Sequence, residues 1–307
     1  MRTGLCGPDC AGVGKAEAAF FLFPRLTAKD GESRAVTGIN RKGALARNKR
    51  NMRFFLSLIH ISALEDGYRH IDAAAIYGNE ESVGRAIAES GVPRGELFVT
   101  SKLWNDEHGY ETTLRAFDKT LKDLGLEYLD LYLIHWPVPA KFKNNWQKKN
   151  AETWQAFEEL YKEGRVRAVG VSNFLPHHVE ELKKTAEIMP MVNQIEYHPG
   201  LMQKELVEYS QKEGMLIEAY SPLGTGKMLG NETLKGIADK YGKSVAQVCI
   251  RWVLQNGVLP LPKSVTPSRI ADNARVFDFE IAADDMAVID AMVDPDGPTN
   301  DPDNFPL

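Results

Sequence analysis

The chain has 307 residues, 43% of them hydrophobic and 26% charged, and a net charge of −5, an ordinary composition for a globular protein with a large core. Cys6, Cys10 and Cys249 are too few for a disulfide framework, and the Cys6/Cys10 spacing is one residue longer than a redox CxxC pair, so a reducing cytoplasm is favoured. No apolar run reaches the roughly 18 residues that a membrane helix needs, so we predict no membrane association.

Positive charge is concentrated at the start of the chain. Residues 1–62 carry 11 Lys and Arg against 4 Asp and Glu, a balance of +7, whereas the remainder carries 26 against 38, a balance of −12. An Arg-rich, acid-poor leader can be an organelle transit segment, and Arg41–Arg53 could contact nucleic acid or anionic lipid. We favour a solvated or irregular segment with no nucleic-acid partner, in which Val36–Ile39 forms a short strand and Met52–Glu65 an apolar helix.

Two glycine-lysine stretches resemble phosphate-binding loops but lack the required frame. Gly12–Lys15 would need glycine at position 9, where the chain has Asp9, and alanine follows the lysine in place of serine or threonine. Gly224–Lys227 fails in the same way. No GxGxxG follows a strand, so a Rossmann dinucleotide domain has no support.

From position 63 onward, strand-like and helical patterns alternate. The predicted strands are Tyr68–Ala73, Leu97–Leu103, Leu129–His135, Ala168–Ser172, Met191–Glu196, Leu216–Ser221 and Val258–Pro262. The predicted helices between them are Glu80–Ser90, Glu111–Leu124, Glu152–Glu163, His177–Ile188, Lys204–Glu213, Glu232–Tyr241 and Ser244–Gln255. Asn231 and Gly125 have the residue types of helix caps.

Seven such units in one chain predict a parallel α/β fold, the (β/α)8 TIM barrel, rather than an open sheet. We place the barrel at residues 63–293 and its eighth strand upstream of Ala63. Phe277–Met292 reads as a loop and a final helix. Residues 1–62 form an atypical N-terminal segment, and residues 294–307, rich in Pro, Asp and Asn, form a surface tail.

Four polar residues stand at or just after the C-terminal ends of three consecutive predicted strands. They are Asp72, Tyr77, Lys102 and His135. Neighbouring strand ends lie side by side in a barrel, so we expect these groups to converge. An ammonium beside a phenol lowers its pKa from about 10, which would make Tyr77 a usable acid, while Asp72 would hold Lys102 charged. His135 could donate to a substrate oxygen or share the proton.

Each of the four also has a structural interpretation when it is taken alone. Asp72 could be a cap or a structural ion-pair partner, Tyr77 a packing residue, and Lys102 a charge at the rim. His135 could be a hydrogen-bonded core histidine. The coincidence of four such residues at strand ends favours the catalytic interpretation.

Seven motifs in order resemble the aldo-keto reductase family, most closely its short-loop bacterial members, typified by the 2,5-diketo-gluconate reductases. They are GYRHIDAAAIYGNE, FVTSKLWN, LGLEYLDLYLIHWP, VRAVGVSNF, MVNQIEYHP, AYSPLG and LPKSVTPSRIADN. The resemblance covers residues 63 to about 292. It implies an (α/β)8 barrel, NADPH as hydride donor, and a small carbonyl substrate that is reduced to an alcohol. It also implies that the four strand-end residues form the catalytic tetrad, with Tyr77 as the general acid.

The resemblance likewise implies a cofactor site along the strand ends. Ser172, Asn173 and Gln194 match the group that hydrogen-bonds the nicotinamide carboxamide, and amide and hydroxyl groups supply the donors and acceptors for that contact. Tyr220 matches the aromatic ring on which the nicotinamide stacks.

For the other half of the cofactor, the resemblance implies a strap over the pyrophosphate formed by Ser221, Leu223 and Gly224. Lys263, Ser264 and Arg269 match the site of the adenosine 2′-phosphate, and Asn273 the adenine contact. Two cations and a hydroxyl around a dianion favour NADPH over NADH. Taken alone, Lys263 and Arg269 would be a solvated rim.

Trp104 and Trp136 follow Lys102 and His135 closely, so we expect them to flank the mouth of a substrate pocket, although tryptophans at strand ends are also ordinary packing residues. The remaining histidines lack metal-ligand spacing, and the His177–His178 pair is expected to start a surface helix. We predict no metal. The family resemblance implies a monomer.

The family's opening hairpin and first strand, which ends in a Gly-x-Gly-Thr-Trp-like turn, are not found in residues 1–62. Either these residues rebuild the strand in an unfamiliar sequence, or a different sequence has replaced it through fusion or a shifted reading frame, and the residues favour replacement. An open barrel would leave two unpaired strand edges.

The function predicted first is an active NADPH-dependent reductase of aldehydes and ketones. The alternative is a barrel that binds NADPH with weak or no turnover and serves as a sensor or interaction protein, because of the altered N-terminus. A metal-dependent or sugar-phosphate barrel enzyme lacks its ligands and its phosphate loop.

Overall fold

The structure, a computed structural model, describes residues 60–306 and contains seven parallel strands that form a nearly closed barrel. The strands are β1 (His70–Asp72), β2 (Phe98–Leu103), β3 (Leu131–Ile134), β4 (Val169–Ser172), β5 (Val192–Glu196), β6 (Leu216–Tyr220) and β7 (Leu259–Leu261). Each strand pairs with the next one along the chain. The predicted (β/α)8-type barrel is confirmed. The predicted eighth strand, with the short strand Val36–Ile39 and most of the helix Met52–Glu65, falls outside the described residues.

Side chains alternate between the two faces of the barrel wall. Ile71, Val99 and Tyr132 point outward into a core shared with the surrounding helices, whereas Leu131 and Leu133 point inward and meet Val192 from β5 in a separate cluster. Successive residues of a strand face opposite sides, which explains why an apolar strand supplies both layers.

In addition to the helical residues 60–65, nine helices of the described region surround the strands. They are α1 (Glu80–Glu89), α2 (Tyr110–Leu124), α3 (Trp146–Lys162), α4 (Pro176–Lys183), α5 (Lys204–Lys212), α6 (Glu232–Tyr241), α7 (Val245–Gln255), α8 (Pro267–Ala274) and α9 (Ala283–Asp290). The two predicted caps are present: Asn231 Oδ1 accepts from the Leu234 amide at 3.1 Å, and Gly125 ends α2 in the left-handed region at φ 65°.

Two helix boundaries differ from the prediction by several residues, and the others that differ do so by one residue. α3 begins at Trp146, six residues before Glu152, because its polar first turn carries little apolar periodicity. α4 ends at Lys183 and not at Ile188. There the amides of Glu187 and Ile188 donate to the buried carboxylate of Glu158 at 2.7 and 2.8 Å, which replaces the helical hydrogen bonds.

No helix among residues 60–306 is both long enough and apolar enough to cross a membrane.

The contact between α1 and α2 depends on a glycine. A Cβ added at Gly84 would lie 2.2 Å from the Leu124 carbonyl oxygen, which is backbone and cannot rotate away. We expect Gly84→Ala to lower the free energy of unfolding by about 3 kcal/mol, measured by urea denaturation. Gly236→Ala on α6, where nothing lies within 4 Å, is the matched control and is expected to raise it by about 0.5 kcal/mol. Equal effects of both changes would contradict this account.

Candidate active site

A buried ion pair joins the ends of β1 and β2. Lys102 Nζ lies 2.6 Å from Asp72 Oδ2 and donates to the Ala73 carbonyl oxygen at 3.1 Å. The lysine side chain is 1% exposed, so its charge is held by these oxygens and not by bulk water. A buried ammonium of this kind keeps its position because any displacement would leave it without a partner.

Tyr77 enters the same space from the turn after β1. A single helical turn, Ala75–Tyr77, ends at Gly78, whose φ of 62° lets the chain reverse into α1. The Tyr77 ring centroid lies 5.3 Å from Lys102 Nζ and 6.0 Å from the ring centroid of His135, which follows β3. The structure therefore brings together all four residues that the sequence singled out.

Burial is the largest influence on the two proton-carrying groups. It would lower the pKa of Lys102, but the charges of Asp72 and Tyr77 outweigh it and the pKa is raised. Desolvation also raises the pKa of Tyr77, and the ammonium of Lys102 opposes this without cancelling it. The expected net lowering of the Tyr77 pKa is therefore wrong for this structure, although the lysine acts in the expected direction. Half of the Tyr77 surface is exposed, so water limits the increase.

His135 is held neutral at the base of the site. Burial, reinforced by the charge of Lys102, lowers its pKa well below the usual value. Its Nδ1 has no hydrogen-bond partner among residues 60–306. A neutral imidazole has one donor and one acceptor nitrogen, so His135 can hydrogen-bond an uncharged oxygen without adding a second positive charge.

A hydrogen-bonded group next to the tetrad contains the residues predicted to hold a carboxamide. Gln194 Nε2 donates to Asp72 Oδ1 at 2.9 Å and to Glu218 Oε2 at 2.9 Å. Asn173 Nδ2 donates to Ser172 Oγ and to the His135 carbonyl oxygen, both at 3.1 Å. These contacts fix both amides, and they place the Gln194 carbonyl oxygen opposite its carboxylate partners.

Tyr220 lies at the end of β6, beside the Asn173 amide. Its hydroxyl donates to Asn173 Oδ1 at 2.9 Å, and that oxygen keeps a second lone pair for another donor. The side chain is partly exposed at the mouth of the barrel. A flat ring so placed can carry a planar heterocycle.

Backbone strain occurs at two of the predicted cofactor residues. Asn173, directly after β4, has φ 63°, and Ser221, directly after β6, has φ 50°. Left-handed conformations of residues other than glycine are uncommon and cluster at binding sites. Leu223 and Gly224, at the start of a 3-10 segment (Gly224–Gly230), continue the loop, and a Cβ added at Gly224 would lie 3.4 Å from the His198 ring.

The predicted 2′-phosphate residues surround the start of α8. Lys263 and Arg269 are exposed, and neither forms an ion pair with another described residue between 60 and 306. Ser264 Oγ accepts from the Thr266 amide at 3.2 Å, whereas Asn273 is 7% exposed. Two free cations at the N-terminus of a helix are suited to a phosphate dianion. The α8 helix itself was not predicted, because it is only eight residues long and Ile270 is its one buried apolar residue.

The predicted mouth residues meet an aromatic side chain from the C-terminal tail. Phe305 stacks on Trp136 with ring centroids 3.9 Å apart and lies 6.3 Å from Trp104, which in turn contacts the His135 ring at 5.4 Å. Most tail residues between 294 and 306 are exposed or half-buried, and this contact was not predicted. A single aromatic residue in an otherwise polar stretch was the only signal in the sequence.

Several polar contacts hold the tail on the barrel. Thr299 donates through its amide and its hydroxyl to the Glu196 carboxylate at 2.8 and 2.7 Å. Lys143 Nζ donates to Asn304 Oδ1 at 2.8 Å. Between tail and barrel a pocket of about 260 Å³ opens beside Asn173 and Tyr220, so this space adjoins the predicted carboxamide residues.

One cluster has the composition of a metal site. His177, His178 and Asp303 offer ligand atoms within 4.8 Å of one another. However, His178 Nδ1 accepts from the Leu175 amide at 3.0 Å, so a neutral His178 carries its proton on Nε2, the atom that faces Asp303 at 2.9 Å. That proton blocks metal ligation. The cluster instead ties the tail to the first turn of α4, the helix start that the sequence predicted near this pair.

The chain resembles proteins of known class. A family model described as "Aldo/keto reductase family" matches residues 56–294. The glyoxal reductase of Bacillus subtilis is 58% identical over 231 residues, which cover 75% of this chain and 81% of that protein.

Two solved structures have the same fold. The aldo/keto reductase from Brucella melitensis has a TM-score of 0.74 at 48% identity and covers 78% of this chain and 88% of its own. A variant of Gox0644 in complex with NADPH has a TM-score of 0.76 at 43% identity. The match covers 82% of this chain and 89% of that one.

Proposed function

Because the chain belongs to the aldo/keto reductase family, we propose that it is an NADPH-dependent oxidoreductase that reduces aldehyde and ketone carbonyls to alcohols, with Tyr77 as the general acid. The observation that carries this proposal is the convergence of Tyr77, Lys102, Asp72 and His135 around one space at the barrel mouth. Bound NADPH supplies the hydride. The residues of the chain supply the proton and the geometry.

Each member of the tetrad has a role that follows from its environment. A phenol has an ordinary pKa of about 10, and burial raises the pKa of Tyr77, so the residue can give its proton to an oxygen that is becoming an alkoxide. Lys102 lies beside the phenol and stabilises the phenolate that remains, while Asp72 keeps Lys102 in place. Neutral His135 orients the substrate oxygen from the other side.

The residues along the strand ends fit the cofactor. The Gln194 carbonyl oxygen and the second lone pair of Asn173 Oδ1 can accept from a carboxamide NH2, and Tyr220 offers a ring face. Ser221, Leu223 and Gly224 would lie along the pyrophosphate, and Asn273 would contact the adenine. Lys263, Ser264 and Arg269 would bind the 2′-phosphate.

The experiment is NADPH oxidation, followed at 340 nm, by the purified chain with a panel of aldehydes, ketones and keto acids. The panel includes glyoxal and methylglyoxal, because the Bacillus subtilis relative is called a glyoxal reductase. Oxidation that depends on a carbonyl is expected. Binding of NADPH without oxidation of any substrate would favour the alternative, a sensor or interaction protein, and absence of both would contradict the proposal.

Cofactor preference gives a separate prediction. The double substitution Lys263→Met with Arg269→Leu is expected to raise KM for NADPH about 100-fold and to leave KM for NADH nearly unchanged, because only NADPH carries the 2′-phosphate. Steady-state kinetics with both cofactors measures this. Lys235→Met, on the exposed face of α6, is the control. An equal increase in KM for NADPH and for NADH would show that Lys263 and Arg269 do not bind the 2′-phosphate.

Three further interpretations stay predictions: the division of the chain at residues 62/63 and 293/294, the reducing cytoplasm, and the monomeric state. Trp104 and Trp136, with Phe305 above them, are proposed to contact the carbon chain of the substrate.

A further inference from the structure

An acidic residue of β6 is buried inside the barrel behind the tetrad. Glu218 is 3% exposed and lies directly opposite Gln194 in the pairing of β5 with β6. Its Oε2 accepts from Gln194 Nε2 at 2.9 Å, and its Oε1 lies 3.9 Å from His70 Nε2 of β1. Burying a carboxylate is costly, and a residue kept there against that cost commonly serves the site.

The geometry of Gln194 shows what this carboxylate does. The amide nitrogen has two hydrogens, and the structure directs one to Asp72 Oδ1 and the other to Glu218 Oε2, both at 2.9 Å. If the amide were reversed, its oxygen would face two carboxylate oxygens and two hydrogen bonds would become repulsive contacts. The two carboxylates together therefore favour this orientation of the amide over the reversed one.

We propose that Glu218 is a positioning residue, which together with Asp72 fixes the Gln194 amide so that its carbonyl oxygen faces the nicotinamide carboxamide. This inference rests on the proposed function, because it requires NADPH at the strand ends. Glu218 itself touches neither the substrate nor the reacting atoms. It acts through Gln194 on the orientation of the ring that gives up the hydride.

The charges around Glu218 are consistent with a carboxylate that accepts from Gln194 of β5 and faces His70 of β1. Burial raises the pKa of Glu218, and the nearby charge of Asp72 adds to this, while His70, the Gln194 hydrogen bond and Lys102 act in the opposite direction. His70 is itself hydrogen-bonded at 3.0 Å through Nε2 to Thr100 Oγ1. In either protonation state Glu218 retains an oxygen that can accept from Gln194.

The test separates the nicotinamide half of the cofactor from the rest. Dissociation constants are measured for NADPH and for 2′-phospho-ADP-ribose, which lacks the nicotinamide, with wild-type protein and Glu218→Leu. We expect Glu218→Leu to raise the dissociation constant of NADPH about tenfold and to leave that of 2′-phospho-ADP-ribose unchanged. Equal weakening of both ligands, or no weakening of NADPH, would overturn the inference.

Coupling to Gln194 distinguishes positioning from a general packing role. In a Gln194→Leu background, Glu218→Leu is expected to have no further effect on the ratio of the two dissociation constants, since the amide through which it acts is gone. Additive effects would overturn the inference. If Glu218→Leu does not fold, Glu218→Gln is used in its place. This variant keeps an acceptor but lets the Gln194 amide reverse more easily. It should raise the dissociation constant of NADPH about threefold and leave that of 2′-phospho-ADP-ribose unchanged.

Glu158→Leu is the control for the loss of a buried carboxylate. Glu158 is 6% exposed on α3, outside the barrel, and accepts two backbone amides. It should change neither dissociation constant. Wild-type protein that binds 2′-phospho-ADP-ribose but not NADPH, or neither ligand, would overturn the proposed function together with this inference, whereas normal NADPH binding by Glu218→Leu would overturn the inference alone.

Discussion

Replacing Tyr77 with phenylalanine is expected to lower kcat at least about 10³-fold and to change the dissociation constant of NADPH less than about twofold. The ring remains in place between Lys102 and His135, so the substitution removes only the hydroxyl that carries the proton. General acid catalysis by a positioned side chain contributes about 10²–10⁴-fold. His135 is neutral, and the Lys102 ammonium is held by Asp72 and the Ala73 carbonyl oxygen, so neither is expected to replace the phenol as proton donor. Single-turnover oxidation of NADPH by an aldehyde measures the chemical step.

Tyr209→Phe is the matched control for this change. Tyr209 lies on α5, where its hydroxyl donates to Glu180 at 2.6 Å on the outside of the barrel. It should retain full activity. A Tyr77→Phe protein that reduced the aldehyde at the wild-type rate would remove the role assigned to the phenol, whatever the position of the other three residues.

The second large effect is expected for Lys102→Met, which keeps the length of the side chain and removes its charge. We expect kcat to fall about 10²-fold or more, because the phenolate left by proton transfer would lose its stabilising ammonium. The charge of Lys102 lowers the pKa of Tyr77, so its removal raises that pKa further. The alkaline limb of the kcat profile, where Tyr77 loses its proton, should therefore move to higher pH.

Stability provides an independent check on Lys102→Met. The substitution leaves Asp72 with Gln194 as its remaining hydrogen-bonded partner, so the free energy of unfolding should fall by about 3 kcal/mol. The double variant Lys102→Met with Asp72→Asn removes the unpaired charge and should recover part of the stability but none of the activity. Recovery of activity in the double variant would mean that the ammonium serves folding and not catalysis.

The convergence of the tetrad was predictable because one geometric rule suffices: parallel strands end at the same face of a barrel. The pKa of Tyr77 was not predictable, because it depends on how much water the fold removes from the phenol. The types of the neighbouring residues do not reveal that. The sign of the Lys102 contribution could be predicted, but its size relative to burial could not.

Glu218 and Phe305 were missed for opposite reasons. Glu218 is two residues before Tyr220 in an otherwise apolar strand. An acid in such a strand is the signal that identified Asp72, and it is equally present in β6. Phe305 had no periodic context, because its contact with Trp136 joins the tail to a strand end far away in the chain. The boundary error at the end of α4 likewise arose from a contact distant in sequence, the one with the Glu158 carboxylate.

Pairing every strand only with its successor has a consequence for how this protein can be altered. The residues proposed to handle the proton come from β1 to β3, whereas the residues assigned to the cofactor come from β4 onward. The two halves can therefore be altered separately. Changes from β4 onward would alter the choice of cofactor, and changes in β1 to β3 would alter the pKa of the proton donor. Gln194 links the two halves, since it donates to Asp72 in one and to Glu218 in the other, and any graft that replaces β5 must carry it along.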